Sequence, residues 1–127
     1  RVLFRSNFEK GKTVFYPHGY SNYFFHPTHP HELIIVSTEN NKVSILNCLS
    51  GEIVRTISKG KEYAFCNIDP VTGNYLFRNS YYVLITNENG DELFRMRSED
   101  ASPYLANNIL TCWAGAAINV EPYLKKP

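Results

Sequence analysis

The sequence lacks most of the features that would place it in a membrane-bound, secreted or nucleic-acid-binding class. No apolar run approaches the roughly 20 residues that span a bilayer, and the run Leu33 to Val36 is only as long as a strand. No signal peptide is recognisable. The formal net charge is +1, so no strong field attracts nucleic acid or anionic lipid. We therefore expect an intracellular protein, in the cytoplasm or nucleus, with no membrane contact.

Cysteine is scarce, and its spacing excludes two kinds of cross-link. The three residues are Cys48, Cys66 and Cys112, an odd number without close spacing, which argues against a disulfide framework. No C-x-x-C pair is present, so the paired-thiolate zinc motifs are excluded. We predict buried thiols in a reducing compartment.

Motifs of catalysis and of nucleotide binding are also missing. Neither a glycine-rich phosphate loop nor the G-x-S-x-G turn of serine hydrolases occurs. Carboxylates such as Glu88 and Asp91 lie in turn-like segments, where acidic side chains are usually solvated. Arg55, Lys59 and Lys61 form only a small basic group, and nucleic-acid binding needs a larger basic stripe. We predict no enzyme activity, no cofactor and no nucleic-acid partner.

What the chain does contain is an internal repeat of about 40 residues. Three turn glycines mark it at separations of 40 and 39 residues: Gly11, Gly51 and Gly90. The aromatic segment from Tyr20 to Phe25 reappears as Tyr63 to Ile68, and Pro27 in the following loop reappears as Pro70. Strand positions and a loop proline that recur together indicate repeated supersecondary units.

Each unit predicts four short strands joined by tight turns. In the first complete unit we place strands near 20–25, 33–37, 42–47 and 53–57. In the second we place them near 63–68, 75–79, 82–86 and 92–96. The pair Asn89-Gly90 between two such strands is a strong hairpin signal, because both residues tolerate a left-handed backbone.

The two ends of the chain fit the same frame. Residues 2–6 and 12–16 read as the last two strands of a preceding unit, whereas 106–113 and 116–120 begin a following one. The segment from Ser98 to Tyr104 is polar and contains Pro103, so it predicts a connecting loop, with a short helix capped by Ser98 as the alternative.

The first complete unit resembles a WD40 repeat, the four-stranded blade of a β-propeller. The order of that family is followed by the loop Phe25-His26-Pro27-Thr28 and then by three strand-like segments: Glu32 to Ser37, Lys42 to Asn47 and Ser50 to Ile57. The resemblance covers roughly residues 18–96. It implies an all-β fold of consecutive four-stranded antiparallel blades in a single β domain. The blades would be a half blade over 1–17, blades over 18–58 and 59–97, and a partial blade over 98–127.

The number of blades leaves three arrangements open. These segments amount to about three blades, whereas closed propellers typically have four to eight. The chain is part of a larger propeller, or it closes by assembling with copies or a partner, or its hairpins pack as a compact β-sandwich. Open sheet edges favour assembly, because unpaired strands accept other strands.

Histidine is concentrated in one segment, which makes it a candidate metal site. All four residues lie within 14 positions, from His18 to His31. Imidazole is the commonest metal ligand, and His26, His29 and His31 could meet at one ion from a turn. An ordinary polar loop between strands is the competing interpretation, since Pro27 and Pro30 impose extended backbone that points neighbouring side chains apart.

Aromatic side chains are too numerous to share one core. Alternate residues of a strand face opposite sides, so some aromatic rings must lie between blades or at the surface. Tyrosine, tryptophan and arginine dominate protein interfaces. Our candidates for a partner-binding face are Tyr81, Tyr82, Tyr104, Trp113 and Tyr123.

Three functions remain open at this point. The first is a protein-interaction scaffold of WD40-like blades that binds another protein, and the repeat and the lack of a catalytic motif favour it. The second is a small all-β inhibitor or immunity-type protein that blocks one partner. The third is a metal-binding protein that uses the histidines between His18 and His31. The fold alone does not decide among them.

Overall fold

A computed structural model gives the fold, and it describes residues 2–3, 13–14, 19–37, 39–60, 62–99, 102–112 and 115–126. These residues form an all-β structure of antiparallel sheets with one short 3-10 helix, Glu121–Tyr123. The first six strands are β1 Val2–Leu3, β2 Thr13–Val14, β3 Asn22–Phe25, β4 Glu32–Val36, β5 Val43–Asn47 and β6 Ile53–Ile57. The remaining strands are β7 Ala64–Ile68, β8 Tyr75–Arg78, β9 Tyr82–Thr86, β10 Glu92–Arg97, β11 Tyr104–Ala106, β12 Ile109–Thr111 and β13 Ala117–Asn119.

The chain divides into two compact units, Arg1–Lys61 and Glu62–Pro127. In the first unit, β1 pairs with β2, and β3, β4, β5 and β6 form a four-stranded sheet in chain order. In the second unit, β7 to β10 form another four-stranded sheet in chain order, and β11 to β13 form a three-stranded one. The strands predicted for both complete units are therefore confirmed as two consecutive antiparallel meanders.

The central strands of the first unit are buried on both faces. Leu33, Ile34 and Ile35 follow one another in β4, and each is 1% exposed or less. Because successive side chains of a strand point to opposite faces, both faces of β4 are covered. This burial explains the continuous apolar run in the sequence, because a strand with one solvent-exposed face would alternate apolar and polar residues.

The same double burial occurs in the second unit. Tyr75, Leu76 and Phe77 of β8 are consecutive and have no exposed surface. Leu76 joins a core cluster with side chains from both sheets of the unit, namely Val83, Ile85, Leu105, Leu110 and Val120. On the opposite face the rings of Tyr75 and Phe77 contact Phe65 edge-on, with centroids 6.1 and 5.9 Å from it. Burying each large apolar side chain contributes about 1.5–3 kcal/mol, so these two layers account for much of the stability of the unit.

The first strands of the two sheets in the second unit lie side by side. The Asn67 side-chain amide on β7 donates to the Leu105 carbonyl oxygen on β11 at 2.8 Å, and the Leu105 amide donates to Asn67 Oδ1 at 3.2 Å. Two residues further along the chain in each case, just past the ends of β7 and β11, Asp69 accepts from the amide of Asn107. From the pair 67/105 to the pair 69/107 the residue number rises by two in both segments, so β7 and β11 run in the same direction.

The end of the chain differs in detail from the prediction. One strand was expected to begin within 106–113, but a turn at Asn107 and Asn108 divides that segment into β11 and β12. Both asparagines have positive φ, 51° and 60°, the geometry of a two-residue type I′ hairpin. β11 also begins at Tyr104, inside the segment predicted as a loop. In the described part of residues 98–103 no helix forms, so the alternative of a helix capped by Ser98 is wrong there.

The turns follow the predicted chemistry elsewhere. Gly51, Gly73 and Gly90 have φ values of 80°, 79° and 90°, which only glycine adopts without strain. The Asn89-Gly90 hairpin is confirmed, with the Gly90 amide donating to the Asn87 carbonyl oxygen at 3.0 Å. Among the described residues no helix is long and apolar enough to cross a membrane.

Candidate functional site

Three of the predicted partner-binding tyrosines lie at one end of the sheets in the second unit. Antiparallel pairing brings the start of β7, the turn between β8 and β9 and the end of β10 to this end. Because β11 runs in the same direction as β7, its start lies there too. Tyr81, Tyr82 and Tyr104 occupy these positions together with Tyr63, and we call this region the tyrosine end.

Tyr81 is the most prominent side chain of the tyrosine end. Asn79 Oδ1 accepts the amide hydrogens of Tyr81 and Tyr82 at 2.8 Å each, which fixes the turn between β8 and β9. The Tyr81 ring is left 55% exposed, with the Arg97 guanidinium 5.6 Å from its centroid. Beside it lies a shallow hollow lined by Glu62, Asn79, Ser80 and Tyr81. A cation held over an exposed aromatic ring, next to a hollow, offers both shape and charge to a partner.

A second arginine organises the neighbouring tyrosines. The Arg95 guanidinium lies 5.5 Å from the ring centroids of both Tyr63 and Tyr82, and its Nη1 donates to the Tyr63 hydroxyl at 2.5 Å. Its Nη2 also donates to Glu92 Oε1 at 2.7 Å. The pKa of Arg95 is raised, first by this hydrogen bond to Glu92, so the side chain stays cationic at any physiological pH. Tyr63, a residue that the sequence did not single out for binding, thereby joins the site.

The other predicted aromatic residues are not all at this end. Tyr104 at the start of β11 is 51% exposed. Tyr123 is 66% exposed but follows Val120, whose amide donates to the Asn108 carbonyl oxygen at the opposite end of the sheets. Its ring lies 6.5 Å from that of Phe94. Trp113 lies outside the described residues.

The first unit carries an exposed aromatic strand. All four residues of β3 are exposed, and Phe25 is the most exposed of its aromatic residues at 74%. The rings of Tyr23 and Phe25 contact edge-on with centroids 6.0 Å apart. The dense aromatic sequence before His26 indicated that some rings would lie at the surface, and β3 is where they do.

The histidine segment brings together a set that differs from the predicted one. His26 and His29 lie close, with ring centroids 4.3 Å apart, and Glu32 completes a cluster whose ligand atoms all lie within 4.8 Å of one another. His31, the third predicted ligand, is exposed and is not part of this cluster. His18 lies outside the described residues. The sequence signal for Glu32 was its position next to His31, at the start of a strand.

His26 and Asp69 hold equivalent turns. Each residue directly follows the first strand of its sheet, β3 or β7. His26 Nδ1 accepts the amide hydrogens of Thr28 and His29, both at 3.2 Å, two and three residues ahead. Asp69 Oδ1 likewise accepts the amide hydrogens of the residues two and three positions ahead, Val71 at 2.9 Å and Thr72 at 3.3 Å. The repeat therefore preserves the turn, although the residue type changes.

Asp69 also joins the two sheets of the second unit. It is fully buried, and its carboxylate accepts the amide hydrogens of Asn107 at 2.7 Å and Asn108 at 2.9 Å, in addition to the two within its own turn. Burial raises the pKa of Asp69, but the four backbone hydrogen bonds lower it by more, so the net shift is downward. Sequence reasoning missed this residue. Its only signal was an aspartate before Pro70, which is typical of turns.

Cys48 is buried as predicted, whereas Cys66 and Cys112 are only partly buried, so the prediction of buried thiols is wrong for these two. Burial raises the pKa of Cys48, and it raises the pKa of Cys66 to about 11, with the charge of Arg78 offsetting part of the effect. A thiol with a raised pKa is a poor nucleophile at neutral pH. These two cysteines therefore do not supply an activated nucleophile.

The chain matches no protein-family model, no curated protein and no solved structure.

Proposed function

We propose that the chain is a protein-interaction scaffold built from WD40-like β-propeller blades, which binds its partner through the tyrosine end of the second unit. The observation that carries this proposal is the succession of sheets in the second unit. A four-stranded meander is followed by a second sheet whose first strand lies alongside the first strand of the meander. In a propeller, the first strands of successive blades surround the central channel in this manner.

Double burial favours a propeller over the compact β-sandwich. A two-layer sandwich buries one face of each sheet and leaves the other in water. The strand β8 is instead buried on both faces, at Leu76 on one side and at Tyr75 and Phe77 on the other. Blades between neighbours have this property. The chain is then part of a larger propeller or assembles into one.

The chemistry of the tyrosine end supports a protein as the partner. Tyr81 and Tyr104 present large amphipathic rings at low entropic cost, and Arg97 adds a cation beside them. Arg95 is largely occupied by Glu92 and Tyr63, so it stiffens the surface. We also propose a location in the cytoplasm or nucleus, because the odd number of widely spaced cysteines fits a reducing compartment.

A comparison of two tyrosine variants tests the proposed binding surface. The intact chain, the double variant Tyr81→Ala/Tyr104→Ala and the single variant Tyr123→Ala are used as baits in an extract of the native host, with quantitative mass spectrometry as the readout. We expect a protein that the wild type and Tyr123→Ala retain equally and that the double variant loses by about tenfold or more, because truncating interface tyrosines commonly costs more than 1 kcal/mol each.

The same three baits provide the control and the results that would contradict the proposal. Tyr123 is more exposed than the other two but lies at the opposite end, so its variant measures how much retention is lost when any exposed aromatic ring is removed. Equal retention of every protein by all three baits would remove the tyrosine end as the binding surface. A structure of the native particle in which β7 and β11 do not flank a common axis would remove the propeller.

A further inference from the structure

The turn between β3 and β4 gathers three side chains that ligate metals. His26, His29 and Glu32 are spaced by three residues each, and one ligand atom from each lies within 4.8 Å of the other two. Tetrahedral zinc, with bonds of about 2.1 Å to nitrogen and oxygen, needs ligand atoms about 3.4 Å apart. Rotation of the exposed His29 side chain can shorten its distances to the other two ligand atoms.

Glu32 gives an independent indication of a missing partner. Its Oε1 atom is buried and has no hydrogen-bond partner among the described residues. A buried carboxylate oxygen without a donor is costly, and such an atom calls for a bound ion, a water or another explanation. The position of Glu32 is also fixed, because it begins β4 and its amide donates to the His29 carbonyl oxygen at 3.0 Å.

The backbone of this segment is constrained around the cluster. Pro27 and Pro30 each fix one φ angle and restrict the residue before them, which lowers the entropy lost on binding. His31 is held separately, because its carbonyl oxygen accepts the amide hydrogen of Cys48 at 2.8 Å. A short constrained turn therefore presents His26, His29 and Glu32 while His31 remains outside the cluster.

We propose that His26, His29 and Glu32 bind a divalent transition-metal ion, with zinc as the best match, and leave a fourth position for water. Two imidazoles and one carboxylate form a donor set that zinc accepts in sites with an open position. His29 is exposed, so the ion enters directly from solvent.

Metal binding is coupled to the turn itself. His26 Nδ1 accepts the amide hydrogens of Thr28 and His29, so a metal at this atom replaces both bonds. A metal at Nε2 instead requires the ring proton on Nδ1, which removes the same acceptor. In either case the amide signals of Thr28 and His29 report occupancy.

Zinc titration of the intact, tag-free chain tests the site. We expect saturable binding of one zinc ion by calorimetry, with chemical-shift changes at the amides of Thr28 and His29. His29→Ala and Glu32→Gln should each weaken binding by about tenfold or more, since even indirect supports of a metal site cost that much. The matched control His31→Ala removes a neighbouring imidazole and should leave the affinity unchanged, and circular dichroism verifies the fold of each variant.

Three results would overturn the site. They are the absence of saturable zinc binding, an equal loss of affinity in His31→Ala, and saturable binding that leaves the amides of Thr28 and His29 unmoved. The last measurement uses only the wild-type chain, so it holds even if a variant does not fold. The titration uses zinc alone, and its outcome does not depend on the partner-binding experiment.

Discussion

Asp69 links two backbone turns of the second unit. Its carboxylate satisfies four amide hydrogens from two turns that are separated by more than 30 positions in sequence, at Val71, Thr72, Asn107 and Asn108. Hydrogen bonds to a charged acceptor are stronger than neutral ones, and a buried acceptor that is lost leaves its donors unsatisfied. The carboxylate is therefore a structural element of the joint between the two sheets.

Replacing this carboxylate should destabilise the fold. We expect Asp69→Asn to lower the free energy of unfolding by about 2–3 kcal/mol, because the amide offers one acceptor oxygen and points an N–H₂ group at backbone donors. Urea unfolding of both proteins measures the change. The control Asp91→Asn alters an exposed carboxylate that accepts from the Asn87 side chain, and it should cost less than about 0.5 kcal/mol. Equal losses in the two variants would contradict the assigned role.

The lowered pKa of Asp69 predicts a specific dependence of stability on pH. A carboxyl group with a pKa below its unfolded value of about 3.9 stabilises the folded state fully above that value. The contribution disappears as the pH falls through the folded-state pKa. The difference in unfolding free energy between wild type and Asp69→Asn should stay constant from pH 7 to pH 5 and shrink below pH 4. Urea titrations at each pH measure it, and a difference that grows on acidification would refute the argument.

At the scale of single elements, side-chain caps recur at the ends of strands. Asn47 Oδ1 accepts the amide of Leu49 at 2.9 Å, and Asn87 Oδ1 accepts that of Asn89 at 2.9 Å, each two residues ahead. Such caps provide hydrogen-bond acceptors for backbone amides that have no partner in the strand ladder. The turn at Asn107 and Asn108 is different, because its backbone enters the left-handed region and its amides point at Asp69.

The hairpin between β11 and β12 should be sensitive to branching at Cβ. We expect Asn107→Val to cost about 1–2 kcal/mol, because a β-branched residue is strained at a φ of 51°. Asn107→Gly should be close to neutral, since glycine adopts this φ freely and keeps the amide that Asp69 accepts. Thermal unfolding of the two variants beside wild type measures the contrast. Similar melting temperatures for both would show that the turn tolerates other geometries.

At the scale of the whole molecule, the three-stranded sheet of the second unit ends in an edge strand. β13 is the outer strand of its sheet and pairs with β12 alone within it. The amide of Cys112 donates to the Ala116 carbonyl oxygen, and that of Val120 donates to the Asn108 carbonyl oxygen. Because alternate residues of an antiparallel strand face its neighbour, the backbone groups of Ala117 and Asn119 face away from β12. An edge of this kind accepts further strands.

This edge should contribute to self-association of the chain. We expect the particle mass measured by light scattering to rise with protein concentration, and Ala117→Pro to shift it toward that of one chain. Proline at this position removes an outward amide but leaves the ladder to β12 intact. The control Ala117→Ser keeps the amide and should behave as wild type. A mass equal to one chain at every concentration would exclude association through this edge.

Local patterns predicted much of this fold. The spacing of Gly51 and Gly90, together with the turn residues, located two four-stranded meanders, because strand alternation and hairpin chemistry depend on residues that are close in sequence. The same reasoning missed the division between β11 and β12. An Asn-Asn pair is a weaker turn signal than Asn-Gly, and the segment is short.

The sequence by itself determined the strands, most of the turns and the presence of an aromatic surface, since each follows from local backbone preference and the two-residue period of a strand. Only the tertiary structure decided which side chains meet. It separated Tyr123 from Tyr81 and Tyr104, replaced His31 by Glu32 beside the other histidines, and placed Asp69 against a distant turn. The physical reason is that these contacts depend on strand direction and on the stacking of sheets, which are set by packing between segments far apart in the chain.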